Sequence, residues 1–392
     1  MDVTVASRAP QAPPVAGSPE FVVRRALPAD EAGRRELLAA VAMETDLSLS
    51  IRRAPTVDAM YALHARAWEG WVVAGERGRV EGMGSVLVRD GYVDGVMAPV
   101  GYLGDLRFSK RAEGRLLLDR AYGPILEDAS RRYGCRYYLT AIIASNAKAR
   151  RALTVHTERA ARRGRPRYTL LREFDIRSLH LVLPRRRPRS SVAVRRAERR
   201  DVAPIAALLD ADARRRPFGY PMPERELRRR LETWPGLRIE SFHVAESAAG
   251  DLVGVVAPWD ASPVKRTVVE AYGGRMARVR ALHDVAARLL GRPTLPPPGE
   301  ALRYQYLTHL AVPSGDPAVL RALLESAYAA ARRERMHFLS APAPVGDPLD
   351  AAYRGFPATN IRAGLYAVTL PGTPVPESLL AGAMPGFEMA LV

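Results

Sequence analysis

Residues 99–120, PVGYLGDLRFSKRAEGRLLLDR, organise the reading of this chain. Val100, Tyr102, Leu106 and Phe108 alternate with other residues, the period of a strand. The strand stops at Ser109, a good N-cap residue. Leu116, Leu117 and Leu118 then open an apolar helical stretch that runs to about Tyr133. Between them stand Lys110-Arg111-Ala112-Glu113-Gly114-Arg115. The macrodipole makes a helix N-terminus positive, so each cation costs a few tenths of a kcal/mol or more there, by order of magnitude. An anion among them would offset that cost. Free N–H groups at such an end favour phosphate, and Gly114 lets the backbone come close. A solvated Arg-rich turn is the alternative that the local stretch leaves open.

The chain has 392 residues, long for one core, so two domains are expected. Cys135 is the only cysteine, which excludes an intramolecular disulfide and a cysteine-based metal cluster. No run of 18 apolar residues occurs, so no transmembrane helix and no membrane partner is expected. Residues 1–20 lack the charged and apolar regions of a signal peptide and read as a disordered tail rich in Pro and Ala. A cytoplasmic protein is expected. The formal charge of +17 suits an anionic partner. Yet the only lysines are Lys110, Lys148 and Lys265, and the remaining basic residues are arginines among much Ala and Pro. Such a bias can come from a GC-rich genome, so the charge is discounted as evidence for nucleic acid. Neither aromatic–basic interleaving nor a zinc-finger or helix-turn-helix signature stands out.

Along the chain, residues 21–26 read as a strand, 28–43 and 55–68 as helices, and 71–74 and 80–88 as strands. The opening strand and helix follow. RYYLTAIIA (136–144) reads as a buried strand, 145–153 as a helix, and 168–183 as two closing strands. After Pro184-Arg-Arg-Arg-Pro-Arg-Ser-Ser191 the order restarts: Val194-Arg195-Arg196 echoes Val23-Arg24-Arg25. The second series runs to a closing strand at 361–370, with an inserted helix near 275–290 and the stiff segment 293–299. This is a tandem repeat.

The first series resembles the GNAT acyltransferase superfamily. Arg111-Ala112-Glu113-Gly114-Arg115-Leu116 is similar to its acyl-CoA loop, Arg/Gln-x-x-Gly-x-Gly/Ala, with Leu116 departing at the last position. Asn146-Ala147-Lys148-Ala149 is similar to the Asn-x-x-Ala opening of its last helix, where Asn contacts the pantetheine arm. A plain N-cap is the other reading of Asn146. The resemblance implies two tandem α/β domains, each a mixed, mostly antiparallel sheet flanked by helices. It places an acyl-CoA-binding domain at 21–183 and a degenerate copy at 192–371. Residues 184–191 have no apolar periodicity and read as a linker, with a nucleic-acid patch as the other reading, and 372–392 read as a tail. The resemblance also implies acetyl-CoA or another acyl-CoA as cofactor and an N-acyltransferase acting on a small-molecule or protein amine. Leu106, Arg107, Phe108, Lys110, Arg111, Ala112, Glu113, Gly114, Arg115, Leu116 and Asn146 would hold the cofactor. The alternatives are a non-catalytic CoA- or acyl-carrier-binding module and, third, an Arg-rich nucleic-acid binder.

Amine acylation needs a base for the ammonium and an acid for the leaving thiolate. Strand alternation puts Asp105 on one face with Leu103 and Arg107, where it is the expected base, or else an ion-pair partner of Arg107 or of another of the many arginines. Leu153 stands where the family's acidic Tyr is usual. In the second copy, Asp316-Pro317 replaces the cationic loop, and a cap carboxylate occupies the place a phosphate would need. That copy is expected to be a scaffold or a wall of the substrate cleft. Tyr353 reads as packing. The histidines form no HExxH or HxxxH pattern, so no metal is expected, and His309 is the single His alternative as acid or base. Met43, Met60, Met83 and Met97 read as core.

Overall fold

The computed structural model describes residues 16–18, 20–40, 46–113, 117–155, 164–185, 192–380 and 384–391. The first half contains β1 (Ala16–Ser18), β2 (Phe21–Arg25), α1 (Glu31–Ala40), β3 (Leu47–Arg53), α2 (Ala59–His64), β4 (Ala67–Ala74), β5 (Val80–Val93), β6 (Val96–Phe108), α3 (Leu117–Tyr133), β7 (Tyr137–Ile143), α4 (Ala147–Thr154) and β8 (Arg167–His180). The second half contains β9 (Ala193–Arg196), α5 (Val202–Arg214), α6 (Glu224–Thr233), β10 (His243–Glu246), β11 (Leu252–Trp259), β12 (Lys265–Tyr272), α7 (Gly274–Leu289), β13 (Tyr304–Ala311), α8 (Pro317–Arg333), β14 (Phe338–Pro344) and β15 (Ala358–Thr369).

Thirteen of these strands form one sheet in the order β1-β2-β4-β5-β6-β7-β15-β8-β14-β13-β11-β10-β9. The run β2-β4-β5-β6-β7 is matched by β9-β10-β11-β13-β14, so the repeat is realised strand for strand. It extends to side chains. Arg24 donates to Asp30, which also accepts from the Leu27 N–H at 2.7 Å. Arg195, Asp201 and the Glu198 N–H repeat that arrangement, again at 2.7 Å. Helices cover both faces. Leu37, Leu38 and Tyr61 of α1 and α2 close one face of the first half, and Ala121, Ile125 and Leu126 of α3 close the other. In the second half α5 and α6 lie over Trp234 and Phe242, and α8 supplies Val319, Leu320 and Leu323 on the far side.

The closing strands are exchanged. β15, late in the chain, lies between β7 and β8, and β8 pairs with β14. The two closing strands expected over 168–183 are one strand, β8, because each half takes its last strand's neighbour from the other half. A segment ending at residue 185 therefore lacks β15 between β7 and β8. Expressed alone, it is expected to show no cooperative urea transition, and co-expression with 186–392 should restore one. A cooperative transition for the short piece alone would refute this.

Residues 47–53, between the two segments read as helices, form β3, which pairs antiparallel with β12 in a separate two-stranded sheet. This ladder joins the halves and sets Lys265 opposite Arg53. The helix expected over 55–68 is only α2. Met60 and Met83 are buried, whereas Met97 is exposed at the β5–β6 hairpin; Met43 and residues 186–191 lie outside the described residues. Among the described residues no helix is long and apolar enough to cross a membrane.

Candidate active site

β6 and β7 run parallel and pair over Val100–Tyr137, Gly101–Tyr138 and Tyr102–Leu139. Gly101 is required there: a Cβ would lie 2.0 Å from the Tyr138 ring. Thr140 Oγ1 then donates to the Leu103 carbonyl at 2.9 Å, and beyond it the strands part. β6 stays with β5 and β7 with β15, leaving an opening between residues 104–108 and 140–143.

The parting begins at a bulge. Asp105 has φ +51°, and the β5–β6 register slips between Met83 and Ser85. A non-glycine residue in that region costs on the order of 1–3 kcal/mol. The extra residue also breaks the side-chain alternation. Leu103 packs on the α3 face, but Asp105 turns to the face of α2, correcting the expectation that the two share a face. The second half repeats the device: β13 and β14 pair over Tyr304–Phe338, Gln305–Leu339 and Tyr306–Ser340, and His309 has φ +47° opposite a slip between Val255 and Ala257.

Asp105 accepts from Tyr61 Oη at 2.6 Å and from Arg53 Nη2 at 3.2 and 3.3 Å. Burial alone would raise its carboxyl, but the Arg53 guanidinium and the Tyr61 phenol outweigh burial and hold it below its ordinary value. Its ion-pair partner is Arg53, 52 positions away in sequence, one of the other arginines that the ion-pair reading allowed. The Arg53 side chain is 2% exposed. Like charges opposite on a ladder destabilise it; the Asp105 carboxylate beside Arg53 and Lys265 offsets that repulsion. Burial lowers Lys265 to about 7, with Arg53 adding to the effect. Its Nζ lies 5.1 Å from the Tyr306 ring centroid.

The stretch 384–391 crosses between the two openings. A Cβ at Gly386 would lie 2.3 Å from the Phe218 carbonyl oxygen, so only glycine fits against that loop. The Gly386 N–H donates to the Pro217 carbonyl, and its own carbonyl accepts from Arg89 Nη2 at 3.1 Å. Phe387 then packs near Tyr102 at the mouth of the first opening, ring centroids 6.5 Å apart. Glu388 reaches the second. Burial raises its carboxyl to about 7, against Arg230, the N–H groups of Ala390 and His309, and Lys265.

The second opening holds a cleft of about 1000 Å³, partly open to solvent, lined by Tyr220, Arg230, His309, Asp347, Tyr353 and Glu388 among others. Tyr353 is buried under Arg177 and also faces this cleft. Arg230 Nη1 donates to His309 Nε2 at 3.2 Å, so His309 Nδ1 carries the proton and donates to Thr308 Oγ1 at 2.9 Å. Burial and Arg230 push His309 well below its ordinary value. It stays neutral and is poorly placed to act as an acid. Asp316 caps α8 by accepting from the Ala318 N–H at 2.8 Å.

Of the residues expected to hold a cofactor, Leu106, Arg107 and Phe108 end β6 beside the first opening. Lys110 and Arg111 are exposed, with Arg111 at 3.7 Å from Glu76 and 3.8 Å from Glu81. Ala112 is buried. Glu113 pairs with Lys148 at 2.5 Å and so ties the turn after β6 to α4 across the mouth. Ser109 accepts from Ala112 and bonds Glu81, capping this turn rather than α3 itself. Asn146 caps α4, accepting from the Ala149 N–H at 2.9 Å. Gly114, Arg115 and Leu116 lie outside the described residues. Arg53, Tyr61, Lys265 and Glu388 carry no motif; four separate segments bring them together. Among the described residues, no group of three His, Cys, Asp or Glu side chains could hold a metal ion.

Comparison with family models finds no match, and comparison with curated proteins finds none. Among solved structures, a GCN5-related N-acetyltransferase from Sphaerobacter thermophilus is similar over 95% of this chain and 99% of its own, at 13% identity and TM-score 0.58. Saccharomyces cerevisiae N-myristoyltransferase with bound myristoyl-CoA is similar over 93% of this chain and 86% of its own, at 12% identity and TM-score 0.58. The chain has the GNAT fold in tandem.

Proposed function

We propose, from the fold shared with N-acyltransferases, that this chain transfers an acyl group from acyl-CoA to an amine. The observation that carries the reading is the β6–β7 opening at the Asp105 bulge, beside the turn that bears Lys110 and Arg111. The thioester would lie in that opening, with its phosphates toward the turn and the start of α3, where N–H groups and cations favour anions. The acceptor amine would enter through the second cleft. The amine nitrogen attacks the thioester carbonyl, the C–S bond breaks, and CoA leaves as thiolate. Glu388 takes the proton from the ammonium, because its carboxyl near 7 suits a base at neutral pH.

Asp105, the base expected from sequence, is assigned a positioning role. It holds Arg53 and Tyr61, and its lowered carboxyl makes it a weak base. Asp105→Asn leaves a buried guanidinium uncompensated, and breaking such a pair costs about 3–5 kcal/mol. The urea midpoint is expected to fall accordingly; an unchanged midpoint would remove this role. Release of free CoA thiol, measured with acyl-CoA and a panel of primary amines, amino sugars and peptides, tests the transferase reading. No amine-dependent release from any donor would defeat it.

A further inference from the structure

A separate cavity lies on the other face of the sheet from Asp105, between the strands and α3. Trp71, Gly84, Val86, Leu106, Phe108 and Ile125 line it with others, and the space they bound, counted together with the solvent at its open mouth, is about 490 Å³. Leu106 follows Asp105 directly, so the bulge that opens β6 from β7 sends one side chain to each face. The cavity therefore begins beside the place assigned to the thioester. Its lining is almost wholly apolar. The hydroxyl of Tyr122 on its wall is already engaged with Tyr168 Oη at 2.9 Å. Trp71 Nε1 and Ser85 Oγ, on residues that also line it, are buried without a hydrogen-bond partner among the described residues. The rest of the wall offers a polar group nothing to replace its water, whereas an alkyl chain would gain contacts along it.

We infer that this cavity receives the acyl chain of the donor, so that the preferred donor carries several methylenes beyond the acetyl group. This rests on the assignment of the first opening as the acyl-CoA site. Gly84 keeps the cavity open. A Cβ there meets only Leu106 Cδ1, at 3.6 Å, an ordinary contact, so a larger side chain would extend into the cavity rather than disrupt the backbone.

The test is calorimetry with CoA, acetyl-CoA, hexanoyl-CoA and decanoyl-CoA, which needs no acceptor. Each methylene buried is worth roughly 0.8 kcal/mol, or about fourfold in Kd, so hexanoyl-CoA, with four more methylenes, should bind roughly 200-fold tighter than acetyl-CoA. Gly84→Leu should lower the ratio of hexanoyl to acetyl affinity about tenfold or more. The wild-type series stands by itself if the variant does not fold. Equal affinity for all acyl-CoAs, with CoA itself bound, would overturn the inference and leave the transferase reading standing. Absence of binding by CoA and every thioester would overturn that reading and this one with it.

Discussion

Glu388→Gln is expected to lower turnover by about 10²–10⁴, the range for loss of a general base, with little change in CoA affinity. In the folded protein burial holds the Glu388 carboxyl near 7. Turnover in the wild type should therefore rise with pH through about 7 and level off above it, since only the carboxylate accepts a proton. The Gln variant should lack that rise. Lys265 also sits near 7, so a rise that survives in Glu388→Gln would assign it to Lys265 and remove Glu388 as the base. Stability gives an independent control. The folded state binds this proton more tightly than the unfolded chain does. The contribution of Glu388 is thus full below the ordinary carboxyl range and is lost as pH rises through about 7. At pH 8 the Gln variant, which cannot ionise, should unfold at a urea concentration no lower than wild type. A variant that is inactive but not destabilised has lost chemistry rather than fold.

CoA should bind once per chain, at the first half, and Gly114→Glu should abolish that binding. The two halves share the strand opening and the bulge, but their helix starts differ. After β6 stand Lys110, Arg111 and Arg115 with Gly114 among them. Before α8, Asp316 already occupies the Ala318 N–H, and Pro317 has no N–H to offer. On the proposed assignment a phosphate would gain charge-assisted hydrogen bonds at the first site and would meet a carboxylate at the second. Glutamate at 114 would fill the loop and add a like charge. Asp316→Ala should leave CoA affinity nearly unchanged. Calorimetry with acetyl-CoA decides this: a stoichiometry of two, or binding that survives Gly114→Glu and is lost with Asp316→Ala, would sink the assignment.

Much of the architecture was legible in the chain. Local periodicity marks nearly every strand and helix because the alternation of 2 or 3.6 residues is set by which side of one element faces the core. The repeat was legible for the same reason, in Val23-Arg24-Arg25 echoed by Val194-Arg195-Arg196. The contrast between the two helix starts also needed no coordinates, since a cap carboxylate and a cationic turn act within a few residues.

Tertiary structure alone decided the rest. The exchange of β15 and β8 is invisible to periodicity, because either neighbour would bury the same apolar faces. The bulge at Asp105 adds one residue to one strand, and only the pairing with β5 reveals it; that slip moved the side chain from the Leu103 face to Arg53 and Tyr61. The titrating groups of the candidate site were hidden most completely. Glu388 and Lys265 are ordinary residues in sequence. Their protons are held or lost near neutral pH only because folding strips away water and brings charges from both halves and from the 384–391 stretch into one buried space, where desolvation outweighs their intrinsic preferences.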